Sequence, residues 1–176
     1  LRLRQFPRIW WSNQVPVTKP DMMKRNWQLC NNIVNESSFE VIARQFVPLH
    51  IPTVYLEGYY QLMKTVDFLP WPKNPKVIFT SNAYHDDDIF KAWAAEKVEK
   101  NTQLIIGQHG GHFGMSPFSF TEDHQIKIAT KWLSWGWSDS SRPQVAPIGN
   151  LKCMGKKQVK YNPNGRALMV SMAIPR

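Results

Sequence analysis

The sequence predicts an α/β fold, a parallel sheet with helices packed against it. Three observations lead there. Two short apolar runs, residues 76–82 (KVIFTSN) and 103–107 (QLIIG), have the length and β-branched content of strands. Helix-start chemistry follows each of them, so the middle of the chain reads strand, helix, strand, glycine-rich loop, helix, strand. That alternation calls for right-handed crossovers between parallel neighbours. Finally, 176 residues with 43% hydrophobic and 20% charged side chains suffice for one substantial core. No apolar run approaches the roughly 20 residues that span a bilayer, and the basic first residues lack the apolar stretch of a signal peptide.

Taken in order, residues 1–26 mix Pro, Trp and basic residues without a period and read as an irregular basic segment, with Trp10-Trp11 as packing groups. Residues 27–46 suit a helix. Ser37 followed by Glu40 has the capping-box form, ahead of Phe39, Val41, Ile42 and Phe46. Pro48 is expected to stop it, since proline has no N–H and clashes with the preceding turn. Residues 52–66 read as a second helix with Pro52 in its first turn. Leu56, Tyr59, Tyr60 and Met63 then share one face, the tyrosines as core groups, with Glu57 a candidate for facing a cleft. Three prolines make residues 68–75 a connection.

Residues 76–82 form the clearest strand. Asn82 at its end is a candidate substrate-binding residue, because open α/β sheets take ligands outside the carboxyl ends of their strands. The run His85-Asp86-Asp87-Asp88 opens a helix over 88–100, where acids complement the helix dipole; that reading is preferred to a metal site. Ile89, Trp93 and Val98 mark its buried face. The strand 103–107 follows and breaks into Gln108-His109-Gly110-Gly111-His112-Phe113-Gly114. A helix capped by Thr121 comes next, with Glu122 and Asp123 in its first turn, then an aromatic strand over 131–137 carrying Trp132, Trp135 and Trp137. Beyond residue 139 the chain is rich in Pro, Gly and Lys, with a short strand at 145–149. Three segments result: the basic segment 1–26, the α/β domain 27–139, and a basic linker with the start of a second domain at 140–176. The chain begins without Met and residues 166–176 read as a strand entering a further unit, so it is expected to be part of a longer protein.

The net charge of +9 is uneven. Residues 1–26 carry six Lys/Arg against one Asp, residues 27–139 nine against twelve acids, and residues 140–176 seven against none. Basic ends around an acidic middle attract phosphate in a nucleotide, an anionic lipid surface or a nucleic acid, or meet an acidic partner domain. Cys30 and Cys153 have no CxxC spacing and read as thiols of a reducing cytoplasm.

Three readings of the loop stay open on the residues alone. His109, directly after a strand, suits a general base that takes a proton from an acceptor hydroxyl. His109 and His112, with Glu122, Asp123 and His124 nearby, offer metal-ligand types at a spacing that matches no standard zinc signature. The third is a structural loop, with glycines for the turn and histidines bonded to backbone. For Glu122 and Asp123, dipole stabilisation competes with orienting His109 or binding a sugar hydroxyl.

GQHGGHFG followed by SFTEDHQIKIATKWLSWGW resembles the hallmark of a bacterial family of surface-carbohydrate transferases encoded in O-antigen regions. The resemblance is strong over residues 102–137 and one of type only over 27–100. The family is similar to GT-B glycosyltransferases, which implies two Rossmann-like domains facing across a cleft, with no cofactor and no required metal. It implies His109 as general base. It also implies Gly110 and Gly111 for close approach and Glu122, Asp123 and His124 as second-line cleft residues; with Gln108 and His112 of the loop and Asn82 at its strand end, these are the candidate substrate-binding residues. The expected partners are a nucleotide-sugar donor and a glycan or lipid-linked acceptor, without nucleic acid, in a cytoplasmic protein that associates peripherally with the membrane. The rival expectations are a non-catalytic basic module for nucleic acid or anionic membrane, which no nucleic-acid motif supports, and a metal-dependent hydrolase using His109, His112 and His124.

Overall fold

Four short strands build one all-parallel sheet in the computed structural model: β1 (Val77–Thr80), β2 (Gln103–Gly107), β3 (Lys131–Ser134) and β4 (Val145–Pro147), in the spatial order β1-β2-β3-β4. The structure describes residues 18–27, 37–110, 112–150, 153–156, 160 and 162–166. Trp10, Trp11, Cys30, Gly111, the 28–36 part of the first expected helix and the 167–176 part of the expected last strand lie outside them.

The register explains the core. Ile78 sits beside Leu104, Ile106 beside Trp132, and Trp132 beside Val145, and all five are buried. With neighbours in sequence also neighbours in the sheet, right-handed crossovers bring the intervening helices onto this same face. The opposite face carries Val77 and Phe79, each about half exposed, with Ile105, Leu133 and Ala146 partly covered. Phe79 lies across Gly107, where an added Cβ would come within 2.9 Å of its ring.

Five helices accompany the strands among the described residues: α1 (Ser38–His50), α2 (Tyr59–Phe68), the single turn α3 (Ala83–Asp86), α4 (Asp88–Glu99) and α5 (Phe120–Ile128). Leu62 and Val66 of α2, Ile89, Phe90, Trp93 and Ala94 of α4, and Ile126 of α5 join the sheet in one apolar cluster. Local chemistry sets the starts. Ser37 and Glu40 form the expected capping box, the Glu40 N–H donating to Ser37 Oγ (3.3 Å) and the Ser37 N–H to Glu40 Oε2 (2.8 Å). Asp87 caps α4 by accepting the Phe90 N–H at 2.9 Å, and Asp88 falls in the first turn.

Four expectations need correction. Pro48 does not end α1, which runs on to His50. In the last turn its missing N–H removes a single ladder bond. The Arg25 guanidinium takes the closing carbonyls instead, donating from Nη1 to Pro48, Leu49 and Ile51 O at 3.0, 3.1 and 2.9 Å. Glu57 does not face a cleft. It pairs twice with Arg25, Nε–Oε1 and Nη2–Oε2 both 2.7 Å, with both side chains 2% exposed. The second helix does not start at Pro52. Thr53–Tyr55 form a 3-10 turn and α2 begins only at Tyr59, a shift of phase that turns Leu62 and Val66 inward and leaves Tyr59 and Tyr60 exposed. The aromatic strand stops at Ser134, because Gly136 at φ +115° turns the chain and Ser134 Oγ donates to the Trp137 carbonyl.

Candidate functional site

The carboxyl ends of β1, β2 and β3 share one rim of the sheet, and the chemistry-bearing residues follow them: 81–85 after β1, 108–114 after β2 and 135–137 after β3. His109 is half-buried here. Its Nε2 lies 3.5 Å from the hydroxyl of Tyr84, the outer limit of a hydrogen bond. Its ring meets Phe113 edge to face, centroids 5.0 Å apart, and Phe113 is in turn seated on Trp132 at 6.2 Å. The imidazole thus stands on a buried aromatic stack. Tyr84 is only 7% exposed, and burial pushes its phenol up to about 12, so it stays protonated at neutral pH. The ring of His124, exposed on α5, lies 6.5 Å from the Tyr84 ring.

His112 points elsewhere. It is exposed, stacks on Phe113 at 5.6 Å, and its Nε2 is 3.2 Å from Ser119 Oγ. Ser119 also corrects an expectation. It, and not Thr121, is the N-cap of α5, accepting the Glu122 N–H at 3.3 Å, while Thr121 already lies inside the helix. Asn82 precedes α3 and is exposed at the end of β1, two residues from Tyr84; Gly110 is exposed too.

Gln108, Glu122 and Asp123 serve the loop itself. The Gln108 amide oxygen accepts from the Trp135 N–H at 2.8 Å and from Trp137 Nε1 at 3.1 Å, and its Nε2 donates to the Phe113 carbonyl at 3.3 Å. It buckles the loop after β2 to the loop after β3. Glu122, 6% exposed, accepts the Gly114 N–H at 2.6 Å through Oε2 and pairs with Arg142 Nη1 at 3.1 Å through Oε1. Arg142 also holds Asp123 (3.1 Å) and Asp139 (2.6 Å) and lies 5.9 Å over the Trp137 ring. Hydrogen bonds from Ser141, then from Arg142, hold the Asp139 carboxyl down to about 2.

The site therefore gathers His109, Tyr84, Phe113 and His124, with His112 and Ser119 beside them, on a frame of Gln108, Glu122, Asp123, Arg142 and Trp137. Sequence reasoning missed Tyr84, Ser119 and Arg142. Tyr84 had a signal, as it follows the strand-ending Ser81-Asn82. Arg142 had none, sitting in a stretch read as linker. Gly111 lies outside the described residues. Among the described residues no group of three or more His, Cys, Asp or Glu is gathered to hold a metal ion, and no helix is long and apolar enough to cross a membrane.

Fold and site together define a Rossmann-like α/β protein whose histidine–glycine loop opens at the carboxyl rim of a parallel sheet. The chain belongs to the LIC12162 family transferases, whose family model matches residues 1–176, and so to a family of enzymes that move a chemical group. No curated protein and no solved structure matched it.

Proposed function

We propose that this transferase moves a sugar from a nucleotide-activated donor to a hydroxyl of a glycan or lipid-linked acceptor, with inversion at the anomeric carbon. The observation that supports this most directly is the placement of His109: a half-buried imidazole at the end of β2, braced by Phe113 and beside a buried phenol. In the step, the acceptor oxygen bonds to the anomeric carbon as the bond from that carbon to the phosphate oxygen breaks. The nucleotide leaves with the electron pair, and His109 takes the acceptor proton. A second Rossmann-like domain facing this rim, in the GT-B manner, would present the donor. The basic composition of residues 140–176 suits its phosphates and suits peripheral contact with an anionic membrane from the cytoplasmic side.

The test is a turnover assay of the full-length protein over a panel of nucleotide sugars, with His109→Ala alongside the unmodified form. Loss of general-base catalysis predicts a rate lower by roughly 10²–10⁴-fold with the fold intact. Unchanged turnover in His109→Ala would remove the base. Transfer of a phosphoryl or acyl group in place of a sugar would remove the substrate class.

A further inference from the structure

A neutral imidazole has one N–H and one lone pair, and a base can use only the lone-pair nitrogen. The group beside Nε2 therefore decides which nitrogen of His109 receives a proton. That group is the Tyr84 hydroxyl, brought to 3.5 Å by the first turn after β1. Two arrangements are chemically possible. If Tyr84 donated to Nε2, it would occupy the lone pair, and Nδ1 would already carry the proton. If Nε2–H donates to Tyr84 Oη, Nδ1 keeps its lone pair.

Resting on the reading of His109 as the base, we propose that Tyr84 is a positioning residue. It accepts from His109 Nε2–H, fixes that tautomer and leaves Nδ1 to take the acceptor's proton. The base reading requires this direction, because the other leaves no free lone pair on the ring, and three features suit it. Phe113, edge to face with the His109 ring at 5.0 Å, restrains the ring flip that would exchange the two nitrogens. Tyr84 is 7% exposed, so water competes poorly for its oxygen. Once Nδ1 is protonated, the Nε2–H···Oη contact becomes charge-assisted and strengthens as positive charge develops. The other titratable rings nearby are His124 of α5, 6.5 Å from the Tyr84 ring, and His112, stacked on Phe113 at 5.6 Å. Among the described residues the hydrogen-bond partner of His109 Nε2 is Tyr84.

The experiment is a long-range ¹H–¹⁵N correlation of the ¹⁵N-histidine-labelled protein near neutral pH, with the His109 signals assigned by His109→Gln. The expected result is the Nε2–H form of His109 with a proton slow to exchange with water. In Tyr84→Phe, which keeps the ring and removes the oxygen, that exchange should quicken about 5–10-fold, the equivalent of one ordinary hydrogen bond. Unchanged ¹⁵N shifts and exchange in Tyr84→Phe would overturn the proposal. So would the Nδ1–H form in the unmodified protein, a readout that stands even if the variant does not fold. The measurement needs no substrate. Turnover of His109→Ala judges the base, and the tautomer judges Tyr84, so the two failures are distinct.

Discussion

Replacing Gly114 by alanine tests whether the loop is held as described. Gly114 has φ +76°, in the left-handed region, where a Cβ costs about 1–2 kcal/mol. Its added Cβ would stand 2.7 Å from both Cε2 and Nε1 of the Trp137 indole. The indole has little freedom to yield. Its Nε1 donates to Gln108 (3.1 Å), its ring rests on Trp132 (5.2 Å), and Arg142 lies over it (5.9 Å). Displacing it gives up a hydrogen bond of about 1 kcal/mol and a cation–π contact of roughly 0.5–1 kcal/mol. Together these predict about 3 kcal/mol of destabilisation. For a chain of this size that lowers Tm by about 6–12 °C, measured by circular dichroism. Gly110 is the control. It has no positive φ and nothing within 4 Å of its added Cβ, so Gly110→Ala should melt within about 2 °C of the unmodified protein. Any loss of turnover in that control then reports on close approach of a ligand to the backbone. A Gly114→Ala protein that melts like the unmodified one would refute the clasped loop.

Other outcomes follow from the same structure. The Arg25 hydrogen bonds bring Glu57 down to about 2 from 4.5, so its contribution to stability is present above pH 4.5 and lost as pH falls towards 2. Glu57→Gln should be less stable at pH 7 and show a shallower decline over that window in acid-unfolding curves. Trp132 is fully buried and donates from Nε1 to Gln125 Oε1 at 3.0 Å, so Trp132→Phe should cost about 2–4 kcal/mol in urea unfolding, and adding Gln125→Leu should recover about 1 kcal/mol by removing the orphaned acceptor. Ser37→Ala removes the capping box of α1 and should cost about 1 kcal/mol in the same assay.

What the sequence made legible was local. β2 spans the expected 103–107, because its apolar run is bounded by Thr102 and a glycine. The capping box at Ser37 and the acid-rich start of α4 also formed as expected, since each is decided within four residues. The parallel sheet followed from alternation. Expectations failed where a distant partner decides. Arg25, 23 residues before Pro48, holds the closing carbonyls of α1, and the same guanidinium ties down Glu57 32 residues away. Between Ser119 and Thr121 both hydroxyls suit a cap, and backbone geometry chose: Ser119 is extended at φ −152° and ψ 99°. In the site, the position of His109 after a strand was readable. That Glu122 would be occupied by Gly114 and Arg142 was not, because those bonds join segments the sequence separates.

The Gln108 buckle has a consequence for engineering. The loop of residues 108–114 is not a portable cassette. Its shape depends on Trp135 and Trp137 after β3, on Glu122 in α5 and on Arg142 before β4. A library that randomises this loop alone samples sequences around a fixed set of anchors, and variants that lose Gln108 or Gly114 start from a destabilised loop before selectivity is ever tested. A transplant into another sheet has to carry all four segments as one heritable unit.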